Sequence, residues 1–351
     1  MNDVRYKSML ETTNLVKEYL LNFFSSTKLI EIENFRTDFM YLFSKRNDID
    51  IWLRPFIVRS VFEIVSTDDW RKVLPAATAA EVFNISTYQS NSVFDDKINS
   101  SKISNVNQFI SSFISFNIVN SLLLELECGD TEKLNCINIL NKNNEDVYLG
   151  QFIDLNNLIT SNIHAIMSMD KSEYIALYKK RCDLIGGTTV ENCAFWSLEV
   201  ASADYEIKIQ VLRLFRVWGG IMQKINDLSD FTIFLDRKNY KRYTDVRAGK
   251  VTLPFYLIAS HLSDKELDNF IINSNKDNLF LDNFFSKYLY VDSDIVKDVF
   301  FVIAEEWQEC RQIIHSLKCS IDIKKIYFLY ENIFLTRFVK PFFSNKLIRT
   351  I

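Results

Sequence analysis

Apolar residues along this chain recur at the three- and four-residue steps of a helix. Residues 1–46 read as amphipathic helices, with Met9, Leu15, Val16, Tyr19, Leu20 and Phe23 on one side, and are expected to form a helical cap. The polar run Asn47–Asp50 breaks that pattern, and 47–351 is read as one compact helical unit. A long apolar helix ends at Val65, a second runs from about Leu74 to Asn99, and 100–148 continue as helix around a polar insert, Lys142–Asp146, expected to be a surface loop. From Phe255 onward the chain reads as packing helices rich in Phe, Leu and Ile, with a polar helix and turn at Asp264–Asn278. The closing stretch Arg337–Ile351 either folds over the mouth of a site or lies on the surface. The expected fold is all-α, about a dozen helices of ordinary length bundled around a central apolar cavity.

Composition sharpens this picture. Seven glycines and four prolines in 351 residues leave little material for the tight turns of a β fold. A net charge of −4 with the signs well mixed gives no basic surface for nucleic acid. Cys128, Cys136, Cys182, Cys193, Cys310 and Cys319 show neither C-x-x-C nor His-paired spacing and are read as reduced thiols. His164, His261 and His315 are scattered and read as structural. With no signal-like segment and no apolar run of about 18 residues, a cytoplasmic protein without a membrane span is expected.

The chemistry concentrates between Trp218 and Pro254. Helical spacing places Gln223, Asn226, Asp227 and Asp230 on one face, at i, i+3, i+4 and i+7, with Ile221, Met222, Ile225 and Leu228 around the sides. Carboxylates one turn apart repel by about 0.2–0.5 kcal/mol, so such a face is most useful beneath a cation. Oxygen ligands of this kind suit Mg²⁺, which bridges carboxylates to phosphate oxygens.

This G-x-x-x-Q-x-x-N-D-x-x-D pattern and the D-x-x-x-G-K-x-T-x-P that follows resemble the second aspartate-rich motif and downstream loop of the trans-prenyltransferase (polyprenyl synthetase) family. Gly219, Gln223, Asp227, Asp230, Asp245, Gly249, Lys250, Thr252 and Pro254 fall in register. The resemblance covers about Arg54 to Pro254. It implies an isoprenoid synthase bundle, allylic prenyl diphosphate as substrate, magnesium (three ions with bound diphosphate) and a homodimer. It places Asp95, Asp96 and Asn99 as a first acidic motif, making these three with Asn226, Asp227 and Asp230 the metal ligands. Arg54, Lys180, Lys238, Lys241 and Lys250 are the expected diphosphate contacts, and Lys180, Gln223 and Lys250 the catalytic set. Lys179–Arg181 otherwise reads as a solvated helix end, so only Lys180 of that run is assigned. Ser90, Asn91 and Phe94, with Gln151 and Asp154 of the G-Q-F-I-D-L segment, are expected at the cavity; Tyr88 competes as its plug, and Gln151 and Asp154 also fit a polar contact between helices.

Four stretches depart from the family pattern, one of them at Arg181, which replaces the threonine that the family pairs with the lysine matched by Lys180. Ile51 and Trp52 stand where a lysine and an arginine would hold isopentenyl diphosphate, the last aspartate of the first motif is Asn99, and the arginine pair after that motif is replaced by S-S-K. Each lost charge-assisted contact is worth about 1.5–3 kcal/mol. The expected function is therefore ionisation of an allylic diphosphate followed by cyclisation or by transfer to an acceptor without a diphosphate. Asn226 leans toward a terpene cyclase, whereas Asp230 and Phe234 stand where cyclases carry serine and glutamate. Conventional chain elongation and a non-catalytic regulatory subunit remain as alternatives.

Overall fold

A computed structural model describes residues 4–26, 52–94, 105–231, 243–274, 278–290, 293–317, 322–324, 326 and 327. In chain order the helices are α1 (Val4–Ser26), α2 (Leu53–Val65), α3 (Leu74–Phe94), α4 (Asn105–Leu124), α5 (Asp130–Asn156), α6 (Ile163–Met167), α7 (Lys171–Cys182), α8 (Thr188–Val200), α9 (Tyr205–Ser229), α10 (Thr244–Arg247), α11 (Leu253–Ala259), α12 (Asp264–Asn273), α13 (Asn278–Phe285) and α14 (Asp294–Ser316). The all-α expectation holds: among the described residues the sole β interaction is an isolated bridge between Ile159 and Lys250. No described helix is long and apolar enough to cross a membrane.

The chain divides into two compact units. The first comprises Met1–Asn144, Thr189–Arg213 and Lys318–Ile323. In it α1, the described part of the expected cap, packs against α2 and α3, and α3 packs along α4. Small side chains allow the close approach of α3: Ala76, Ala77, Ala79 and Ala80 are all buried. Arg59 ties α2 to α1, donating to Glu11 at 2.8 Å and to Thr12 at 3.1 Å while its guanidinium stacks 4.4 Å from the Trp70 ring. The Ser197 hydroxyl donates to the Val58 carbonyl at 2.7 Å, joining α8 to α2.

The Lys142–Asp146 run is not a loop. It lies within the continuous helix α5, because its polar residues divide by face: Asn143 is fully buried and donates to Asn192 Oδ1 at 2.7 Å, while Lys142 and Glu145 face solvent. Five polar residues in a row carry no turn signal when one of them has a buried partner.

The second unit comprises Glu145–Thr188, Leu214–Leu317 and Lys324–Ile351. After α7 the backbone widens into a single π turn, Asp183–Gly187, and there it meets α9 glycine to glycine: a Cβ on Gly219 would strike the Gly186 carbonyl and come within 2.8 Å of the Gly187 Cα. Arg216 fastens the same crossing, donating to the Asp183 carboxylate at 2.9 and 3.1 Å. Phe231, Tyr243, Phe255, Phe270, Phe284 and Phe285 form a continuous aromatic core, with Phe231 and Phe285 edge to face at 5.0 Å. Ser263 and Glu266 cap α12 reciprocally, and Ser293 caps α14, whose buried residues Val296, Val299, Phe300, Ile303, Trp307 and Cys310 repeat at helical spacing.

Candidate functional site

The second unit gathers four aspartates and two cations. On α9 the polar stripe splits: Asp227 and Asp230 turn inward with Gln223 beside them, whereas Asn226 is exposed. Buried Ile221, Ile225 and Leu228 fix that rotation. Asp227 is completely buried and accepts from Arg181 Nη1 at 2.6 Å, Tyr178 Oη at 2.8 Å and Gln223 Nε2 at 2.9 Å. Arg181, only 2% exposed, also pairs through Nε with Asp154 Oδ1 at 2.8 Å. The other Asp154 oxygen meets Lys250 Nζ at 2.7 Å, and Lys250 lies 3.8 Å from Asp245. Asp154 on α5 is thus shared by two buried cations.

Local structure explains each placement. Tyr174, Tyr178 and Arg181 recur at i, i+4 and i+7 on α7 and present one buried face. Lys250 follows Gly249, whose φ of +74° places it in the left-handed region that favours glycine. Thr160 N donates to the Gly249 carbonyl at 2.7 Å and Val251 N to the Leu158 carbonyl at 2.8 Å, clamping the turn to the chain that follows α5. Tyr174 donates to the Val251 carbonyl at 3.0 Å and stacks on Tyr256, 3.6 Å between centroids. Asp230 holds the start of α10: its Oδ1 accepts from Thr244 N and Oγ1, both at 2.8 Å, and its Oδ2 from Asp245 N at 3.1 Å.

Charge balance within the cluster sets its acidities. Burial raises Asp154, but the pull of Arg181 and Lys250 outweighs it and holds this carboxyl below the usual range. Burial dominates at Asp227, which is raised despite Arg181, with Asp245 and Asp154 adding repulsion. Asp230 is pushed up to about 7 by burial and by neighbouring Asp245, against the hydrogen bonds from Thr244 and Asp245. Tyr178 is raised well above its ordinary value by burial and by Asp227, so its phenol remains a donor.

These residues do not fit the magnesium ligation that the motif implies. Every Asp227 and Asp230 oxygen already accepts from a protein donor. Among the described residues no group of three or more carboxylate, imidazole or thiolate side chains is arranged to hold a metal ion. Of the expected ligands Asn226, Asp227 and Asp230, only Asn226 is exposed.

Of the other expected site residues, Lys180 is exposed, one position from the buried Arg181. Gln151 is buried, and its Oε1 and the Thr252 Oγ1 have no hydrogen-bond partner among the described residues. In the first unit Ser90 is buried and donates to the Ser86 carbonyl at 3.2 Å, Asn91 and Arg54 are half-buried, and Phe94 ends α3. Trp52 is buried with Lys17 Nζ 5.0 Å from its ring centroid. Asp95, Asp96, Asn99, Lys238 and Lys241 lie outside the described residues. The sequence pattern gives no site role to Arg181, Tyr178 or Lys224, the last fully buried and paired with Glu306 at 2.8 Å, and places Asp245 in register with the family loop without a role.

No protein-family model matches the chain, and no curated protein matches it by sequence. Solved structures match its fold. A decaprenyl diphosphate synthase from Rhodobacter capsulatus is 12% identical over 94% of this chain and 98% of its own, with a TM-score of 0.71. A geranylgeranyl pyrophosphate synthetase from Pyrococcus horikoshii is 15% identical over 93% and 98%, also at 0.71. A T. brucei farnesyl diphosphate synthase complexed with bisphosphonate is 13% identical over 95% and 99%, at 0.68. The chain has the fold of these prenyl diphosphate synthases.

Proposed function

We propose that the chain binds an allylic prenyl diphosphate and promotes heterolysis of its C–O bond, the electron pair leaving with the diphosphate and the allylic cation passing to ring closure or to an acceptor without a diphosphate. The observation that carries this reading is the convergence on Asp154 of two buried cations, Lys250 from the G-K-V-T-L-P turn and Arg181 from α7, in the fold of the prenyl diphosphate synthases. Lys250 would hold the diphosphate, and the unsatisfied Thr252 hydroxyl would donate to it. The stacked Tyr174 and Tyr256 rings supply the aromatic faces that stabilise positive charge. No step is assigned to a metal ion, because the Asp227 and Asp230 oxygens are committed to protein donors.

Chain elongation is the weaker alternative. Its second substrate carries a diphosphate, and Trp52, at a position where that anion requires a cation, is a buried ring beneath Lys17. A non-catalytic regulatory subunit is favoured by a different observation, the protein donors on both oxygens of Asp227 and of Asp230.

Incubation with Mg²⁺ and geranyl, farnesyl or geranylgeranyl diphosphate, each with and without isopentenyl diphosphate, followed by mass spectrometry, tests the proposal. Hydrocarbons or alcohols, with free diphosphate, are expected without isopentenyl diphosphate and are expected to vanish in Lys250→Ala. Longer diphosphates formed only with isopentenyl diphosphate would establish elongation instead. Absence of turnover with every substrate would favour the regulatory subunit.

A further inference from the structure

Arg181 stands where the family motif has threonine, so a side chain without charge is replaced by a guanidinium at the floor of the acidic cluster. That guanidinium is buried to 2% exposure and bridges Asp154, at 2.8 Å, and Asp227, at 2.6 Å. Tyr178 donates to the same Asp227 oxygen at 2.8 Å and Gln223 to the other at 2.9 Å. Three protein donors thus face the Asp227 carboxylate, and a divalent ion at it would lie against the guanidinium that already neutralises it.

We infer that Arg181 is the resident cation of the second acidic motif: it fills the place between Asp154 and Asp227 that a divalent ion would take, so Asp227 is no metal ligand in this protein, and removal of Arg181 opens that place to a metal. The inference follows from side-chain charge and geometry. A divalent ion needs oxygen lone pairs directed at it and protons directed away. At Asp227 three donors point inward at the oxygens. Replacing Arg181 by threonine removes the positive charge and leaves two facing carboxylates with a space between them, the arrangement that oxygen-binding cations fill. This deepens the proposed function by specifying how its acidic cluster is neutralised, yet its test needs no prenyl substrate.

Mn²⁺ binding to the full chain, counted by electron paramagnetic resonance of the free ion with and without inorganic pyrophosphate, decides the matter. In the native background Asp227→Asn, which keeps the side-chain shape and one acceptor oxygen while removing the charge, is expected to leave the number of bound ions unchanged and the affinity within about twofold. Arg181→Thr is expected to bind one additional Mn²⁺, and Arg181→Thr/Asp227→Asn to lose it again. A tenfold loss of Mn²⁺ affinity or the loss of an ion in Asp227→Asn alone would overturn the inference, as would a folded Arg181→Thr protein that gains no ion. If Arg181→Thr does not fold, the comparison of native protein with Asp227→Asn stands as the test, and a prenyl turnover failure leaves either result intact.

Discussion

Gly219 and Gly220 are neighbours in α9, and the same substitution is expected to act on them with opposite sign. A Cβ on Gly219 would come within 2.8 Å of the Gly186 carbonyl carbon and of the Gly187 Cα, well inside the 3.4 Å at which ordinary contact begins. All of these atoms are backbone, held in the π turn by the Arg216–Asp183 pair, so the crossing has to open by about half an ångström or more. Overpacking of that kind costs about 1–3 kcal/mol, and the better helix propensity of alanine returns only about 0.5–1 kcal/mol. Gly219→Ala is therefore expected to lose about 1–2 kcal/mol. A Cβ on Gly220 meets Lys224 Nζ at 3.6 Å and Asp183 backbone at 3.8 Å, ordinary contacts, and Gly220→Ala is expected to gain the propensity term alone, about 0.5–1 kcal/mol. Urea unfolding monitored by circular dichroism reads the two variants against native protein. With a urea slope of about 3 kcal/mol per molar, their midpoints are expected to differ by about 0.5–1 M. Equal midpoints, or the reverse order, would refute the reasoning that Gly219 is held by backbone contact.

The remaining predictions concern the charged cluster. Asp154→Asn removes the carboxylate shared by Arg181 and Lys250 and is expected to destabilise by about 3–5 kcal/mol, as truncation of one partner of a buried ion pair does; a midpoint shift worth less than about 1 kcal/mol would show that the cations are satisfied elsewhere. The pH dependence follows from Asp230. Its folded acidity, about 7, lies above the ordinary carboxylate value, so between about pH 4 and 7 the folded state holds a proton that the unfolded state releases. Stability from this group is full below about pH 4 and is lost as pH rises through 7, and Asp230→Asn is expected to flatten the urea midpoint across pH 5–8; an unchanged slope in that variant would assign the titration to another group. Asp154, held below the usual range, acts oppositely and below that window: its contribution is lost only as pH falls through its folded value.

Helical periodicity made the helices legible, along with the rotation that buries Asp227 and Asp230. It was less able to rank residues within a charged run. Lys180 and Arg181 differ by one position, about 100° around the helix, and only the spacing from Tyr174 and Tyr178 distinguishes them. That i, i+4, i+7 series was present in the sequence and ends on Arg181. Lys142–Asp146 departs from its expected loop for the opposite reason: polarity does not imply exposure, and the partner of buried Asn143 is Asn192, far along the chain. The ion pairs of Asp154 with Arg181 and Lys250 span 27 and 96 residues, and no local pattern reports contacts of that separation.

A carboxylate claimed by two cations also constrains how such a sequence can change. Exchange of Arg181 for an uncharged residue leaves Asp227 without its cation and Asp154 with Lys250 alone, and exchange of Asp154 takes one carboxylate from both Arg181 and Lys250. Single steps away from the present arrangement pass through a buried, unmatched charge, whereas paired replacements keep the sum intact. Positions 154, 181, 227 and 250 are thus expected to vary as a set, and a threonine at 181 to be tolerated most readily where a metal or a compensating substitution arrives with it.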